Sequence, residues 1–190
     1  MRAKKLPARL AVMAGFVNGG ESVADIGADH AFLPLYLVRE GLSPFAILTD
    51  LRPGPLEKTR ASVLRSGIGA GADGEGGADG ADGADGADGR GKLQGRGIEL
   101  RLGDGLAALS EAEVDTVIIA GVGGETIVSI LAADPPKARS FRKYILQPRT
   151  KTEALKDWLS SEGWSLIAET AAEEKGRLCD IIVCRPDDSP

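Results

Sequence analysis

Cysteine and histidine are nearly missing from this 190-residue chain, which has only Cys179, Cys184 and His30. So few ligands cannot assemble a zinc site of Cys and His, and no metal is expected. The two cysteines lie five apart in one expected strand, where odd spacing points them to opposite faces. A disulfide between them is therefore not expected. No apolar run reaches the roughly 18 to 20 residues that a membrane-spanning helix needs. The first twenty residues also lack a secretory apolar stretch with a cleavage site, so the chain is expected in the cytoplasm and off the membrane.

What is present suits a folded domain: 43% of the residues are hydrophobic and 27% charged, and the length suffices for one good core. A single domain spanning 1–190 is the expectation. The formal charge of −5 argues at first against a polyanionic partner, but residues 69–89 hold six acids and no base, and without them the charge would be +1. That stretch repeats Gly-Ala-Asp with almost nothing to bury, so a disordered insertion is expected at about 68–97. It has no proline and too few triplets for collagen. Basic residues gather in two groups. One is Arg2, Lys4, Lys5 and Arg9, and the other is Lys137, Arg139, Arg142, Lys143, Arg149, Lys151 and Lys156.

Apolar runs bounded by turn residues alternate with helix-like segments, the pattern of an α/β fold around a mostly parallel sheet. Seven strands are expected, at 22–27, 45–50, 98–103, 114–120, 144–147, 165–173 and 178–185. Helices are expected at 8–17, 31–40, 53–66, 124–132 and 152–162, the last capped by Thr150 or Thr152. The final two strands are joined by Glu174, Lys175 and Gly176 alone, so they should form an antiparallel hairpin. A Rossmann-like sheet with one reversed strand and helices on both faces is the architecture of class I methyltransferases.

The chemistry-bearing residues fall at the ends of the strands. Val23-Ala24-Asp25-Ile26-Gly27-Ala28-Asp29-His30 runs from a strand through a turn towards a helix, where open α/β sheets bind ligands. A dinucleotide fold wants G-x-G-x-x-G there to seat a pyrophosphate. One glycine with two carboxylates instead suits a ligand carrying a sulfonium and an ammonium. Asp50 closes the second strand, where an acid can accept from both hydroxyls of a ribose, or cap the helix that starts near Pro53. Asp104, between Gly103 and Gly105, can accept from an adenine amino group, although Gly-Asp-Gly is also a common turn. The fourth strand opens into Gly121-Val122-Gly123-Gly124, whose glycines can leave room for a flat base or serve close helix packing.

With those residues in hand, the chain resembles the bacterial TrmK family of tRNA methyltransferases, which methylate N1 of adenosine 22. The resemblance runs from about residue 8 to 184. It is carried by Ala24-Asp25-Ile26-Gly27-Ala28-Asp29-His30-Ala31-Phe32-Leu33-Pro34, Leu102-Gly103-Asp104-Gly105-Leu106, Ile119-Ala120-Gly121-Val122-Gly123-Gly124 and Ile145-Leu146-Gln147-Pro148. It implies S-adenosyl-L-methionine as cofactor, held by Asp25, Gly27, Asp50, Asp104 and Gly105. It also implies a catalytic group of Asp29, His30, Gly121 and Gly123 near the target adenine, and tRNA as partner. Val122 and Arg149 stand where the family pattern has Met and Asn. The family's helical, coiled-coil-like extension after the last strand is not expected here, so another surface would hold the RNA. A methyltransferase of small molecules or other RNA, and a non-catalytic module binding cofactor or RNA, are the alternatives.

Overall fold

The computed structural model describes residues 6–27, 31–68 and 97–187. Seven strands form one sheet: β1 (Val23–Ile26), β2 (Phe45–Asp50), β3 (Gly97–Leu102), β4 (Thr116–Val122), β5 (Lys143–Pro148), β6 (Trp164–Glu174) and β7 (Arg177–Pro186). Their order is β3-β2-β1-β4-β5-β7-β6, with β7 antiparallel to both its neighbours and the first five strands parallel. The single reversed strand matches the expected architecture.

Among the described residues, six α-helices cover the two faces. They are α1 (Ala8–Ala14), α2 (Phe32–Arg39), α3 (Pro53–Ser66), α4 (Gly124–Ala132), α5 (Pro135–Ser140) and α6 (Thr152–Ser161). Alternation along the central strands divides the core in two, because successive residues of a strand point to opposite faces. Ile118 and Ile145 pack with Leu10 and Met13 of α1, Leu37 of α2 and Val63 of α3. Val117, Ile119 and Leu146 pack with Ile127 and Leu131 of α4 and with Leu155 and Leu159 of α6. Burial on both faces explains why β4 reads as a continuous apolar run. The expected separation of the cysteines also holds: Cys184 is fully buried, Cys179 only partly, and both are free.

Several boundaries follow local chemistry. Pro53 enters α3 at its first turn and Gly67 ends it in the left-handed region at φ 71°. Lys175 and Gly176, at φ 52° and 73°, turn β6 into β7 as a two-residue loop of the kind that hairpin twist favours. Helix α5 is absent from the sequence expectation. Its signal is Asp134, whose side chain accepts a hydrogen bond from the Lys137 amide at 3.2 Å, followed by Pro135 and Pro136 in the first turn. Neither Thr150 nor Thr152 caps α6. Lys151 takes the cap position in the left-handed region at φ 60°, and the Thr152 hydroxyl donates to Asp180 on β7 at 2.7 Å.

Strand β4 also departs from expectation by running through Gly121 to Val122. Its pairing with β5 skips one residue, from Ala120 opposite Gln147 to Val122 opposite Pro148, with Gly121 at φ 79° in the bulge. The expected insertion falls outside the described residues except at its ends, where Ile68 is half-buried and Gly97 opens β3. Among the described residues, no helix is long and apolar enough to cross a membrane.

Candidate active site

Strand order switches direction between β1 and β4, so the ligand crevice of such a sheet lies outside the carboxyl ends of these strands. Main-chain bonds tie those ends together. The Gly27 amide donates to the Thr49 carbonyl at 2.9 Å, and the Gly103 amide donates to the Asp50 carbonyl at 3.0 Å. The ends of β1, β2 and β3 are thereby held in line, and with them Asp25, Asp50 and Asp104.

The three acids stand in different surroundings. Asp25 is partly buried, and no described residue donates a hydrogen bond to its carboxyl. Burial pushes that carboxyl up to about 7, while the Arg9 guanidinium pulls it back down. Asp50 uses one oxygen to accept from the Arg52 amide at 2.9 Å, which shapes the entry into α3. Asp50 does not cap α3, whose cap position is Arg52 with no side-chain cap bond; it shapes the turn before the helix with one oxygen and keeps the other for a ligand. Asp104 is exposed and precedes a short 3-10 helix (Gly105–Ala108) that buries Leu106. Arg101 on β3 anchors this helix. Its guanidinium donates to the Ala108 carbonyl at 3.0 Å and to both carboxylate oxygens of Glu113 at 2.7 and 2.8 Å.

The glycines separate by geometry. Gly27 and Gly121 have positive φ of 74° and 79°, and a Cβ at either would meet nothing within 4 Å. Both therefore open onto free space in a conformation that other residues adopt only with strain. Gly123 and Gly124 do not leave room. A Cβ on Gly123 would lie 3.2 Å from the Thr150 hydroxyl, and one on Gly124 would fall inside the contact distance of the Lys151 carbonyl oxygen. The Gly124 amide also donates to the Thr150 carbonyl at 2.8 Å. Gly105 packs its α-carbon against Ile130, 3.2 Å from where a Cβ would reach. Asp29 and His30 lie outside the described residues.

Sequence reasoning missed a polar group beside this crevice. Arg9, counted above in the first basic group, reaches from α1 to Gln147 Oε1 and Glu174 Oε1, each at 3.4 Å. Gln147 is 3% exposed at the end of β5, and its amide nitrogen donates to the Pro148 carbonyl at 2.9 Å. With donor and acceptor both engaged, its amide has one orientation. The available signal was position: a basic residue one before the buried Leu10 and one helical turn before the buried Met13 lies on the packed face of a short helix and cannot be wholly solvated.

The second basic group is also sorted by its partners. Lys143 is half-buried and donates to Glu21 and to the Phe16 carbonyl. Although burial alone would raise the Glu21 carboxyl, the Lys143 ammonium and the Asn18 and Thr116 hydrogen bonds hold it below its usual value. Lys156 bridges Glu153 and Glu169 at 2.8 and 2.9 Å. Arg142 pairs with Asp115 at 3.4 Å. Arg139 stacks over Trp164 and donates to the Glu162 carbonyl.

Residues 6–75 and 90–182 match the family described as "Methyltransferase domain". The curated tRNA (adenine(22)-N(1))-methyltransferase of Bacillus subtilis is 31% identical over 99% of this chain and 68% of its own length. The chain belongs to this methyltransferase family. A Streptococcus pneumoniae structure in complex with S-adenosyl-L-methionine superposes with a TM-score of 0.76 at 31% identity, covering 94% of this chain and 72% of that one. M. capricolum TrmK, solved with S-adenosyl-homocysteine, gives a TM-score of 0.75 at 25% identity over 98% of this chain and 72% of its own.

The crevice of this family member fits such a cofactor by its own chemistry. Asp25 offers an unpartnered, partly buried carboxyl suited to an ammonium. Gly27 lets a ligand approach the main chain. The spare oxygen of Asp50 and the whole of Asp104 remain available as acceptors for hydroxyl and amino groups.

Proposed function

We propose that this chain is a single methyltransferase domain that transfers the methyl group of S-adenosylmethionine to N1 of an adenine in tRNA, in the cytoplasm. One observation carries the reading. The acids Asp25, Asp50 and Asp104 and the open Gly121 share one sheet edge, in a chain similar along 99% of its length to a tRNA (adenine(22)-N(1))-methyltransferase.

When bound, S-adenosylmethionine supplies a sulfonium methyl that the lone pair of an adenine N1 can take without prior deprotonation. The residues of the chain then have mainly to bind, orient and exclude water, the terms that dominate when no strong base is needed. Asp25 holds the ammonium, Asp50 the ribose and Asp104 the adenine of the cofactor, with Gly27 and Gly105 shaping the main chain around it. Gly121, bulged out of β4 and bare of a side chain, leaves space for the flat target base extruded from its stack. Gly123 keeps the following turn close to Thr150. Gln147, locked by Arg9 and Pro148, forms a fixed wall at the end of β5. Asp29 takes the adenine N6 amino group and stabilises the positive charge that develops on the methylated ring. His30 stands beside it in sequence as a second polar group.

Labelled S-adenosylmethionine and unmodified bulk tRNA should yield 1-methyladenosine on nucleoside analysis. Label in another nucleoside, or in none, would overturn the reading. Asp29→Ala should cut turnover about 100-fold or more while leaving S-adenosylhomocysteine affinity within about 3-fold, given the size of single electrostatic contributions to a transition state. Equal losses in both would remove Asp29 from the catalytic step.

A further inference from the structure

We infer that the β6–β7 hairpin tip and the loop after β5 form one cationic rim that holds the phosphate backbone of the RNA at the catalytic edge. This rests on the tRNA reading above and adds the surface that performs it.

The argument begins with which cations are spent. Arg142 precedes β5 and Lys143 begins it, so both lie at the amino edge of the sheet, away from the crevice, and both are paired with carboxylates. Lys156 is held between two glutamates on α6 and β6. Four other cations are exposed at the β5–β7 part of the carboxyl edge: Arg149, Lys151, Lys175 and Arg177. Among the described residues, Arg149, Lys175 and Arg177 make no ion pair, and Lys151 has only Glu125 at 4.0 Å.

Topology brings the four together. Arg149 and Lys151 follow the carboxyl end of β5. Strand β7 runs antiparallel beside it, so Arg177 at its start lies at the same edge. Leu146 pairs with Ile182, yet β5 stops two residues later while β7 reaches back five residues to Arg177. The hairpin therefore projects about 10 Å beyond the end of β5, at roughly 3.4 Å per residue. Glu174 stands opposite Arg177 across the ribbon, and Lys175 and Gly176 close the tip in a tight turn. Leu178, 76% exposed beside Arg177, offers an apolar surface to a sugar or base.

Charge fixes the direction of approach. The β1–β3 half of this edge carries Asp25, Asp50 and Asp104 against one exposed cation, Arg52, and so is acidic in balance. The β5–β7 half carries the four cations. Of its own acids, Glu174 is paired with Arg9 and Asp180 accepts from Thr152, while Glu125 and Glu173 are exposed, so the four cations outnumber the exposed carboxylates. A phosphate chain laid across this half presents a nucleotide to Gly121 without crossing the acidic half.

The test uses the full chain and unmodified tRNA, titrated at several salt concentrations, with S-adenosylhomocysteine affinity as the measure of an intact site. Arg149→Gln, Lys151→Gln, Lys175→Gln and Arg177→Gln should each weaken tRNA binding about 3- to 10-fold and lower the salt slope by about 0.7 to 0.9. The quadruple variant should lose more than about 100-fold, with S-adenosylhomocysteine affinity within about 2-fold of wild type. Arg142→Gln with Lys156→Gln, at the other positions, should leave tRNA affinity unchanged. A quadruple variant that binds S-adenosylhomocysteine and tRNA like wild type overturns the inference alone. A wild-type protein that binds no tRNA overturns the functional reading and the inference with it.

Discussion

S-adenosylhomocysteine affinity is expected to rise about tenfold between pH 6 and pH 8 in the wild-type protein and to be flat across that range in Asp25→Asn. The cause is the carboxyl at the end of β1, which burial pushes up to about 7 against the opposing pull of Arg9. An ammonium binds the ionised form, so the free protein must give up a proton at pH 6 that it has already lost at pH 8. At pH 8 the Asn variant should bind about 10- to 100-fold more weakly, the scale of one charge-assisted hydrogen bond of roughly 1.5 to 3 kcal/mol. Calorimetry in two buffers of different ionisation heat counts the released proton directly. Binding that is independent of pH in the wild type would sink the assignment.

The same shift has a consequence for stability, with a definite sign. The folded carboxyl titrates near 7 and its ordinary value is 3.8. Between these values the folded protein binds more protons than the unfolded chain, so the free enzyme loses stability as pH rises through that window. Asp25→Asn removes this loss. The variant should melt higher than wild type at pH 8 in the absence of ligand, with the gap closing below about pH 4.

Gly124→Ala is expected to destabilise the protein by about 2 to 4 kcal/mol, because the added methyl meets rigid main chain rather than a side chain that can turn away. Its Cβ would overlap the Lys151 carbonyl oxygen and lie 3.0 Å from that of Thr150. The Gly124 amide bond to the Thr150 carbonyl and the Arg149 amide bond to the Val122 carbonyl, both 2.8 Å, hold the two loops together, so neither yields without losing a main-chain hydrogen bond. Gly121→Ala contrasts with this. Its Cβ meets nothing, and the cost is the left-handed backbone alone, roughly 1 to 2 kcal/mol. Urea unfolding of the two variants should therefore rank Gly124→Ala well below Gly121→Ala. The opposite order would show that the loop after β5 gives way freely.

Much of the fold was legible because it depends on patterns local to the chain. The apolar run of β4, Pro53 and Gly67 bracketing α3, and the short link at Glu174, Lys175 and Gly176 each specify an element through backbone preference or periodicity. Helix α5 was passed over although Asp134 followed by two prolines is itself a start signal. The order of acids at the ends of β1, β2 and β3 could also be read, since parallel strands joined by helices all end at one edge.

Side-chain partnerships across the chain were not legible. Arg9 and Gln147 are 138 residues apart, and Lys143 and Glu21 are 122 apart. No local periodicity encodes such meetings. A basic residue looks the same in sequence whether it is buried in an ion pair or free for phosphate. Likewise four neighbouring positions of one glycine-rich loop gave no hint that Gly121 is open while Gly124 is shut, because what closes Gly124 comes from the loop after β5. The sequence by itself determined the strand order's raw material, the acidic edge and the kinship of the chain. Only tertiary structure decided which cations and which glycines face the crevice, because those depend on contacts that exist after the sheet has formed.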